Sequence, residues 1–238
     1  MNFIIPMAGH GKRFKKAGYK IPKYLIEVKN KKLLQYSLES LPLELATNIV
    51  FIALKEHQEE FNIKEEIRTI LKDINFKLIL LDSITQGQAE TVLKAKDHID
   101  YKTDLIIYNI DTYFKSDTLK RKLLELNLKK DGILGSFKSS GTNWSFAKTN
   151  SQGIVIETAE KIPISHNALT GFYHFSNPLD FISTAEYFIS KEEKHKNEYY
   201  VAPMYNRLIQ SEKKFVLDFV SDFIALGTPE EVEIFKNS

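Results

Sequence analysis

The chain begins with an apolar run that leads directly into a glycine-containing basic loop. Residues 2–14 read NFIIPMAGHGKRF. An almost continuously apolar run such as NFIIP is typical of a strand that is buried on both faces of a parallel sheet. Gly9 and Gly11 follow this run at once, and glycines allow backbone amides to approach an anion closely. The stretch therefore predicts an α/β protein whose first strand ends at an anion-binding loop.

Two familiar anion-binding loops are excluded by the residues at their fixed positions. A dinucleotide-binding fingerprint needs a third glycine, and that position holds Phe14. A P-loop needs a glycine five residues before Gly11 and a Ser or Thr after the lysine, but Pro6 and Arg13 stand there. What remains is an Ala-Gly-x-Gly-x-Arg pattern that is followed by Lys23. In this pattern the glycines close on a phosphate, while Arg13 and Lys23 supply positive charge to a polyphosphate.

The composition is that of a soluble globular protein. The 238 residues suffice for one large or two small α/β domains, and 43% of them are hydrophobic. The formal net charge of +2 argues against a nucleic-acid-binding domain. The chain contains no cysteine, which excludes disulfides, thiolate metal sites and a cysteine nucleophile. Because neither a signal peptide nor a membrane-spanning run is recognisable, we expect a cytoplasmic protein.

Strand-like and helix-like patterns alternate over the first half of the chain. Apolar runs predict strands at NFIIP, NIVFIAL, FKLILLD and DLIIYNID, of which the first, second and fourth should be buried. Amphipathic segments between these runs predict helices, so the strands should be parallel and joined by right-handed crossovers. After about residue 130 the runs are shorter and separated by turn residues, which predicts an antiparallel section. A last strand pair, KFVLDFV and DFIAL, precedes a final helix with Thr228 as N-cap and Glu231 as its capping partner.

Eight stretches, taken in order along nearly the whole chain, carry a more specific pattern. They are MAGHGKRF (7–14), PKYLIEV (22–28), QGQAETV (86–92), YNID (108–111), AEK (159–161), LTGFYHF (169–175), NEYYVAPMYNRLI (197–209) and LGTPEEVE (226–233). Together they resemble the motifs of the sugar-phosphate nucleotidyltransferases, also called nucleotide-sugar pyrophosphorylases. The resemblance implies a Rossmann-like, GT-A-type α/β fold, with a mostly parallel mixed sheet flanked by helices and a smaller antiparallel sugar-binding section. It implies one nucleotidyltransferase domain over residues 1–238, in which residues up to about 130 bind the nucleotide and the rest bind the acceptor.

The resemblance also implies which residues bind the nucleotide. They are Ala8, Gly9, Gly11, Gln86, Gly87 and Asn109. Gln86 can donate and accept hydrogen bonds at once, which suits the edge of a nucleobase. As catalytic cations, Arg13 would hold the leaving β- and γ-phosphates and Lys23 would meet the α-phosphate. Lys12 is expected to be solvated instead.

The acceptor site implied by the resemblance lies in the second half of the chain. It consists of Glu160, Lys161, Thr170, Gly171 and Tyr200. Lys161, also implied to be catalytic, would hold the attacking phosphate, and Glu160 would accept a hydrogen bond from a sugar hydroxyl. Adjacent Glu and Lys residues are also common on solvated surfaces, and tyrosines at the start of a helix also pack in cores. Trp144, the single tryptophan, is expected to be a buried anchor.

A magnesium site is implied at the end of the fourth strand. Asp111 corresponds to the family aspartate that holds Mg²⁺, an ion that prefers oxygen ligands. The family often adds an aspartate two residues before the glycine of Gly-Thr-Pro, but Ala225 stands there. Asp222 lies three residues earlier, on the opposite face if DFIAL is a strand. We expect Asp222 to substitute through a bend; otherwise Asp111, phosphates and water hold the metal alone.

The implied reaction is the Mg²⁺-dependent transfer of a nucleotidyl group from a nucleoside triphosphate to a sugar 1-phosphate, with release of pyrophosphate. The product, a nucleoside-diphosphate sugar, would serve capsule or surface polysaccharide biosynthesis. A cytidylyltransferase acting on a phosphorylated alcohol or amino-alcohol is an alternative, because the same fold carries that chemistry. The residue Ala225 also leaves open a regulatory protein that binds nucleotide sugars without turnover. The expected partners are the two small substrates, with no nucleic acid and no membrane; base, acceptor and oligomeric state stay open.

Overall fold

The computed structural model describes residues 1–125 and 130–238 of the chain. The predicted boundary near residue 130 adjoins residues 126–129, which lie outside the described residues. Among the residues that are described, no helix is long and apolar enough to cross a membrane.

Most of the strands begin close to where the apolar runs predict them. In chain order they are β1 Asn2–Pro6, β2 Glu27–Val28, β3 Lys31–Lys32, β4 Asn48–Leu54, β5 Lys77–Leu81, β6 Leu105–Tyr108, β7 Thr112–Lys115, β8 Gly132–Lys138, β9 Ser145–Thr149, β10 Val155–Glu160, β11 Asn167–Phe175, β12 Phe215–Phe219 and β13 Asp222–Ala225. Strands β1, β4, β5 and β6 lie within the four strands predicted from the first half of the sequence, and β5, at the edge of the sheet, is only partly buried. The side chains of β1, β4 and β6 are almost entirely buried, as expected for central parallel strands.

One mixed sheet forms the centre of the protein, in the order β10-β9-β11-β6-β1-β4-β5. Strands β6, β1, β4 and β5 are parallel. Strand β11 joins them antiparallel to β6 and also pairs with β8 and β9. The parallel and antiparallel sections therefore share one sheet, and the predicted fold class, a Rossmann-like α/β mixed sheet flanked by helices, is confirmed.

The last two strands do not pair with each other, contrary to the prediction. Strand β12 pairs parallel with β8, while β13 pairs antiparallel with β7, a strand that the sequence did not predict. The two connecting residues have different partners, because the Val220 amide donates to Ser136 O and the Ser221 amide donates to Lys115 O. The chain thus passes from one sheet to another at this point instead of forming a hairpin.

Helices cover both faces of the sheet. They are α1 Lys12–Lys16, α2 Leu33–Glu39, α3 Lys55–Phe61, α4 Ile63–Leu71, α5 Gln88–Leu93, α6 Leu119–Glu125, α7 Pro178–Ser190, α8 Met204–Gln210 and α9 Pro229–Asn237. Short 3₁₀ turns lie at Lys23–Leu25, Leu43–Leu45 and Lys96–His98. Between α3 and α4 the chain breaks at Asn62, whose left-handed φ of 48° interrupts the helix. Helix α9 begins as predicted, since the Glu231 amide donates to the Thr228 hydroxyl over 3.2 Å.

Alternate residues of the central strands pack into two separate cores. Ile4 and Val50 point to one face, where α5, α7 and α8 cover them. Phe3 and Phe51 point to the other face, where α2, α4 and α6 cover them. This two-sided burial leaves the carboxyl ends of the parallel strands as the open edge at which a site can form.

Candidate active site

A cleft of ≈ 770 Å³ lies at the carboxyl ends of β1 and β6. Open α/β sheets bind their ligands at this edge. The predicted site residues that line it are Ala8, Gly9, Gly11, Arg13, Lys23, Gln86, Gly87, Asn109, Asp111, Glu160, Lys161, Thr170, Gly171 and Tyr200. Residues predicted from distant parts of the sequence are thus brought together around one cavity.

Asp222 is not brought to this cleft. Strand β13 is paired with β7 so that Asp222 lies opposite Lys115, whereas Ala225 lies opposite Thr112. Since Asp111 directly precedes Thr112, the end of β13 beside Asp111 carries Ala225, and Asp222 lies about 10 Å further along the strand. The pairing is regular over the whole of β13, so no bend returns Asp222 to the cleft. The expectation that Asp222 supplies a second metal ligand is therefore corrected.

Asp111 and Lys23 form an ion pair inside the cleft, with 2.8 Å between Lys23 Nζ and Asp111 Oδ2. Asp111 follows β6, and Lys23 begins the 3₁₀ turn that comes after the glycine loop. Burial acts to raise the pKa of Asp111, but the positive charges of Lys23 and Arg13 outweigh it and hold that pKa below its ordinary value. The carboxylate therefore stays ionised, as a ligand of a cation must be.

The glycine loop is anchored by an apolar side chain on its far side. Gly11 has a left-handed backbone with φ of 59°, and α1 begins at the next residue. Within α1, Arg13 is exposed at the cleft, whereas Phe14 is buried against Leu226 and Val232. Phe14, the residue that excludes a dinucleotide fingerprint, therefore ties the loop to α9.

Lys12 was expected to be a solvated bystander, and its side chain is exposed. It nevertheless belongs to the lining of the cleft, next to Arg13. A second cation at this place adds to the positive potential that attracts a polyphosphate.

The predicted base-reading loop is hydrogen-bonded to the segment that carries Tyr200. The Tyr199 amide donates to Gln86 O over 2.9 Å, and the Ala89 amide donates to Tyr199 O over 2.9 Å. Gly87 has a φ of 148°, and a Cβ there would lie 2.4 Å from the Tyr199 nitrogen. Only glycine permits this close approach, which joins the predicted nucleotide side of the cleft to the predicted acceptor side.

Gln88 is a cleft residue that the sequence analysis missed. The side chain of Gln86 is exposed and accepts a hydrogen bond from Lys194, whereas Gln88 donates to Asn109 Oδ1 inside the cleft. Asn109 also packs against Gly171, where a Cβ would lie 2.6 Å from Asn109 Nδ2. The available signal was the position of Gln88 within QGQAETV, the stretch already assigned to the nucleobase.

Glu160 and Lys161 belong to a hydrogen-bonded part of the cleft lining and are not a solvated surface pair. Glu160 is buried at the end of β10, where the Ser145 hydroxyl donates to its carboxylate. Lys161 Nζ donates to the Tyr200 hydroxyl over 2.9 Å and lies 3.7 Å from Glu160 Oε1. Tyr200 therefore belongs to the cleft, while the neighbouring Tyr199 packs in the core.

Trp144 lines the cleft instead of being a buried anchor. It is half-buried at the turn before β9 and packs edge-on against Phe137 and Phe223, with ring centroids 5.3 Å and 5.5 Å away. Its carbonyl accepts a hydrogen bond from the Lys161 amide over 2.9 Å. The expectation of full burial fails because the residue stands at a turn, where one side of the indole stays open to the cavity.

The family model for nucleotidyl transferases matches residues 3–220 of the chain. The chain belongs to the nucleotidyl transferase family. Among solved structures, this nucleotidyl transferase is similar to the nucleoside-diphosphate-sugar pyrophosphorylase from Vibrio cholerae RC9. The two share 32% identity at a TM-score of 0.85, over 99% of this chain and 100% of that one.

Two more distant structures share the fold of this nucleotidyl transferase. A candidate glucose-1-phosphate thymidylyltransferase from Bacillus anthracis, in complex with sucrose, is 20% identical with a TM-score of 0.79, over 100% of this chain and 94% of that one. A UDP-glucose pyrophosphorylase in complex with UDP-glucose is 16% identical with a TM-score of 0.78, over 99% and 97%. Among curated proteins, none matches the chain significantly.

The donor set of the nucleotidyl transferase suits a magnesium ion that is shared with a substrate. Within the described ranges, no group of three or more His, Asp or Glu side chains is arranged to hold a metal. Magnesium is commonly bound by one or two carboxylates together with substrate phosphates and water, so a smaller set suffices. Asp111 offers an ionised carboxylate, and a Cβ at Gly227 would lie only 3.4 Å from its Oδ2. Because Gly227 has no side chain, no Cβ stands on this side of Asp111 Oδ2, the oxygen that also accepts from Lys23.

Glu231 is a second residue of the cleft that the sequence analysis treated only as a helix cap. Its Oε2 accepts a hydrogen bond from the Gly227 amide over 2.8 Å. Burial, together with the nearby charge of Asp111, raises the pKa of Glu231 above its ordinary value. Its place in LGTPEEVE, a stretch assigned to the family pattern, was the signal that could have revealed it.

Proposed function

We infer that this nucleotidyl transferase transfers a nucleoside monophosphate from a nucleoside triphosphate to a sugar 1-phosphate. The products would be a nucleoside-diphosphate sugar and pyrophosphate. One observation carries the proposal, namely that the cleft has two charged ends of different character. Arg13, Lys23 and Asp111 form a set suited to a triphosphate, whereas Lys161 and Glu160 form a set suited to a phosphorylated sugar.

The chemistry explains why both ends need cations. An oxygen of the sugar phosphate attacks the α-phosphorus in line, the bond from that phosphorus to the β-phosphate oxygen breaks, and pyrophosphate leaves with the electron pair. Two anions must therefore be positioned and neutralised, and no side chain has to form a covalent bond. In this scheme Arg13 binds the β- and γ-phosphates, Lys23 the α-phosphate and Lys161 the attacking phosphate. Bound Mg²⁺, held by Asp111, would supply further charge neutralisation on the phosphate oxygens.

The nucleotide side of the proposal rests on residues around the glycine loop and the base loop. They are Ala8, Gly9, Gly11, Gln86, Gly87 and Asn109, all of which line the cleft. Backbone amides at the glycines would approach the phosphates, and the base loop would hold the nucleobase. Gln88, which donates a hydrogen bond to Asn109, would hold the Asn109 side chain in place between the nucleobase and the acceptor.

A sugar is the acceptor that the second end of the cleft favours. The buried Glu160, held by the Ser145 hydroxyl, is suited to accept hydrogen bonds from sugar hydroxyls. Thr170, Gly171 and Tyr200 would complete this pocket. The name of the Vibrio cholerae relative, a nucleoside-diphosphate-sugar pyrophosphorylase, also supports a sugar phosphate.

A second candidate is a cytidylyltransferase that acts on a phosphorylated alcohol or amino-alcohol. The inositol-1-phosphate CTP transferase from T. maritima has a TM-score of 0.75 over 97% of this chain and 90% of that one, at 14% identity. This identity supports a common fold and leaves the acceptor to experiment. A protein that binds nucleotide sugars without turnover would be distinguished by the same experiment.

The cellular role in this proposal follows from the product. Nucleoside-diphosphate sugars are consumed by glycosyl transfer, and we assign the product to capsule or surface polysaccharide synthesis. A cytoplasmic location is part of the same proposal, because nucleoside triphosphates are available there.

The proposal is tested by a substrate-pair screen with purified protein and Mg²⁺. Each of ATP, CTP, GTP, UTP and dTTP is combined with a panel of sugar 1-phosphates and, in separate wells, with phosphorylated alcohols and amino-alcohols. Released pyrophosphate is measured with a coupled enzyme assay. We expect release with at least one triphosphate and a sugar 1-phosphate, and the Asp222→Asn variant should behave like the unaltered protein because Asp222 lies outside the cleft.

Each other outcome selects a different function. Release only with CTP and a phosphorylated alcohol would replace the sugar proposal with the cytidylyltransferase. Thermal stabilisation by a nucleotide sugar, with no pyrophosphate released from any pair, would indicate a binding protein without turnover. The screen therefore decides between the three functions and not only for or against one.

A further inference from the structure

Two carboxylates border the point at which a side chain at Gly227 would begin. A Cβ at this position would lie 3.4 Å from Asp111 Oδ2 and 3.5 Å from Glu231 Oε2. Asp111 follows β6, whereas Glu231 stands in the first turn of α9, and both line the cleft. Two carboxylate oxygens from different elements thus face the same small volume, which Gly227 leaves open.

Local hydrogen bonds fix the position of both groups. The Leu226 amide donates to Asp111 O over 2.8 Å, which holds the chain before α9 against the end of β6. The Gly227 amide donates to Glu231 Oε2 over 2.8 Å, and the Glu231 amide donates to Thr228 Oγ1 over 3.2 Å. Leu226 is also buried in the small apolar cluster under the glycine loop. The carboxylate of Glu231 is therefore held in place before any substrate binds.

Helix capping alone does not account for a carboxylate at this position. The Gly227 amide needs an acceptor oxygen, which a glutamine side chain would supply equally well. A second negative charge beside Asp111 adds repulsion, and both residues are half-buried. Within the described part of the chain, Lys23 pairs with Asp111 and not with Glu231. Two carboxylates at one point are stable together when a cation binds both.

We propose that Glu231 is the second carboxylate of the magnesium site and takes the part that Asp222 was expected to play. The inference rests on the proposed function, which brings a magnesium-bound triphosphate to the cleft. One or two carboxylates, together with phosphate oxygens and water, are a usual environment for this ion. Glu160 and Glu198, the other carboxylates of the lining, belong to the acceptor end near Lys161.

The test measures metal binding directly and does not depend on turnover. Mn²⁺, a paramagnetic ion with the same preference for oxygen ligands, is titrated into the protein and followed by electron paramagnetic resonance. Each titration contains one α,β-methylene nucleoside triphosphate analogue, which cannot be cleaved, and the analogues of all five bases are used in turn. The protein variants are Glu231→Gln, Asp111→Asn, Gly227→Ala, Glu230→Gln and Asp222→Asn.

Two variants probe the site in independent ways. Glu231→Gln keeps an acceptor for the Gly227 amide but removes the charged ligand. It should lower the affinity for Mn²⁺ by about tenfold or more, as Asp111→Asn should. Gly227→Ala keeps both carboxylates and meets only ordinary contact distances, yet its methyl group occupies the space between them. It should weaken Mn²⁺ to a similar degree without lowering the metal-free melting temperature.

Two matched controls remove a carboxylate elsewhere. Glu230→Gln makes the same change one residue earlier, on the exposed side of the same helical turn, and Asp222→Asn makes it at the far end of β13. Both should bind Mn²⁺ like the unaltered protein. Equal weakening by Glu230→Gln and Glu231→Gln would reduce the effect to general charge and overturn the proposal. Unchanged Mn²⁺ affinity in Gly227→Ala or in Glu231→Gln would overturn it as well.

Failure of this inference can be told apart from failure of the proposed function. If no substrate pair releases pyrophosphate but Glu231→Gln still lowers the affinity for Mn²⁺, the proposed transfer reaction is wrong and the proposed metal site is supported. If pyrophosphate is released and Mn²⁺ affinity is insensitive to Glu231, the reaction stands and the assignment of Glu231 is wrong.

Discussion

Lys23 and Asp111 form an ion pair in the cleft. In the proposed reaction Lys23 also contacts the triphosphate and Asp111 also contacts its metal ion. The ammonium keeps the carboxylate ionised despite its burial. The carboxylate in turn keeps the Lys23 ammonium in the cleft, where in the proposed reaction it would contact the α-phosphate. The pair is thus an arrangement of charges that is set before substrate binds, which is the feature that electrostatic catalysis requires.

Replacing Asp111 by asparagine should remove turnover while leaving most nucleotide binding intact. Asn keeps the shape and can still accept a hydrogen bond from Lys23, but it is a poor ligand for Mg²⁺. We expect kcat to fall by at least about 100-fold, the size of effect seen when one group that stabilises transition-state charge is lost. Pyrophosphate release gives kcat, and calorimetry gives the affinity for the triphosphate. Turnover at the unaltered rate would show that Asp111 holds no catalytic metal.

The neighbours of Lys161 raise the pKa of its ammonium group. Burial acts to lower the pKa of Lys161, but the Tyr200 hydroxyl and the carboxylates of Glu160 and Glu198 outweigh it and raise that pKa above its ordinary value. The ammonium therefore keeps its proton to a higher pH than an isolated lysine would, and in the proposed reaction it would bind the attacking phosphate over the same range.

Tyr200→Phe should move the alkaline limit of acceptor binding to lower pH. Without the hydroxyl the pKa of Lys161 falls, so the ammonium loses its proton earlier as the pH rises. The KM for the acceptor, measured from about pH 8 to about pH 11, should begin to increase at lower pH than in the unaltered protein. Tyr199→Phe is the matched control, because the Tyr199 side chain is buried in the core. Superimposable profiles for Tyr200→Phe and the unaltered protein would mean that this hydrogen bond does not tune Lys161.

At the scale of single residues, sequence motifs identified cleft residues that lie inside the motifs. They did not identify positions that depend on how distant segments pack. Asp111 and Lys161 follow from their places in ordered stretches. The exclusion of Asp222 depends on the register of β13 against β7, a strand without a clear apolar pattern. The exposure of Trp144 depends on the turn before β9. Neither register nor turn geometry is encoded by a local pattern strong enough to predict it.

At the scale of elements, the base loop and the segment around Tyr199 act as one unit. Two backbone hydrogen bonds join them, and Gly87 allows the contact. The nucleotide and acceptor sites of the proposed function would therefore share a wall. A displacement of this wall should affect both substrates, which separates it from changes confined to one end of the cleft.

Gly87→Ala should damage stability and both substrate sites together. Its Cβ would lie 2.4 Å from the Tyr199 nitrogen, at a φ of 148°, so the loop must move. We expect the free energy of unfolding, measured with urea, to fall by about 3 kcal/mol from overpacking and backbone strain. The KM values for triphosphate and acceptor should both rise, because Gln86 and Tyr200 lie on the two halves of the wall.

Gly153→Ala is the control for backbone strain alone. Gly153 also has a positive φ, 75°, but a Cβ there would meet nothing within 4 Å. It should cost about 1 kcal/mol and leave both KM values unchanged. If Gly87→Ala costs no more than this control and keeps its KM values, the two segments are not coupled as described.

Element prediction was good where one periodic pattern spans an element and poor where a single backbone angle divides it. Strands β1, β4, β5 and β6 lie in predicted apolar runs, and all four are present, although β5 at the sheet edge is only partly buried. The charged segment after β4 has helical composition throughout, yet Asn62 in a left-handed conformation splits it into α3 and α4. The pairing of β12 with β8 and of β13 with β7 is non-local, so nothing near those strands in the sequence indicates it.

At the scale of the whole molecule, one buried polar cluster that stabilises the fold lies apart from the cleft. Asp218 on β12 is completely buried. It accepts hydrogen bonds from Ser116 over 2.6 Å and Thr118 over 2.5 Å, and it lies 2.9 Å from Lys122 Nζ. None of these four residues belongs to the lining of the cleft. The cluster joins β12 to the chain around the start of α6, across about a hundred residues of sequence. Because its members are so far apart in the chain, no local motif predicts it.

Asp218→Ala should therefore lower stability without changing the site. The substitution leaves two hydroxyls and an ammonium without their buried acceptor, and removing one partner from such a group costs about 3 kcal/mol. Lys122→Met should cost less, because its ammonium is partly exposed and Asp218 keeps both hydroxyl bonds. Urea unfolding measures the loss, and pyrophosphate release at a temperature where both variants stay folded measures the site. We expect unchanged kcat and KM in both variants, because the sheet edge that carries Asp111 and the glycine loop is held by other contacts. A fall in activity beyond the loss of folded protein would mean that the cleft depends on this distant cluster and that scaffold and site are not separable.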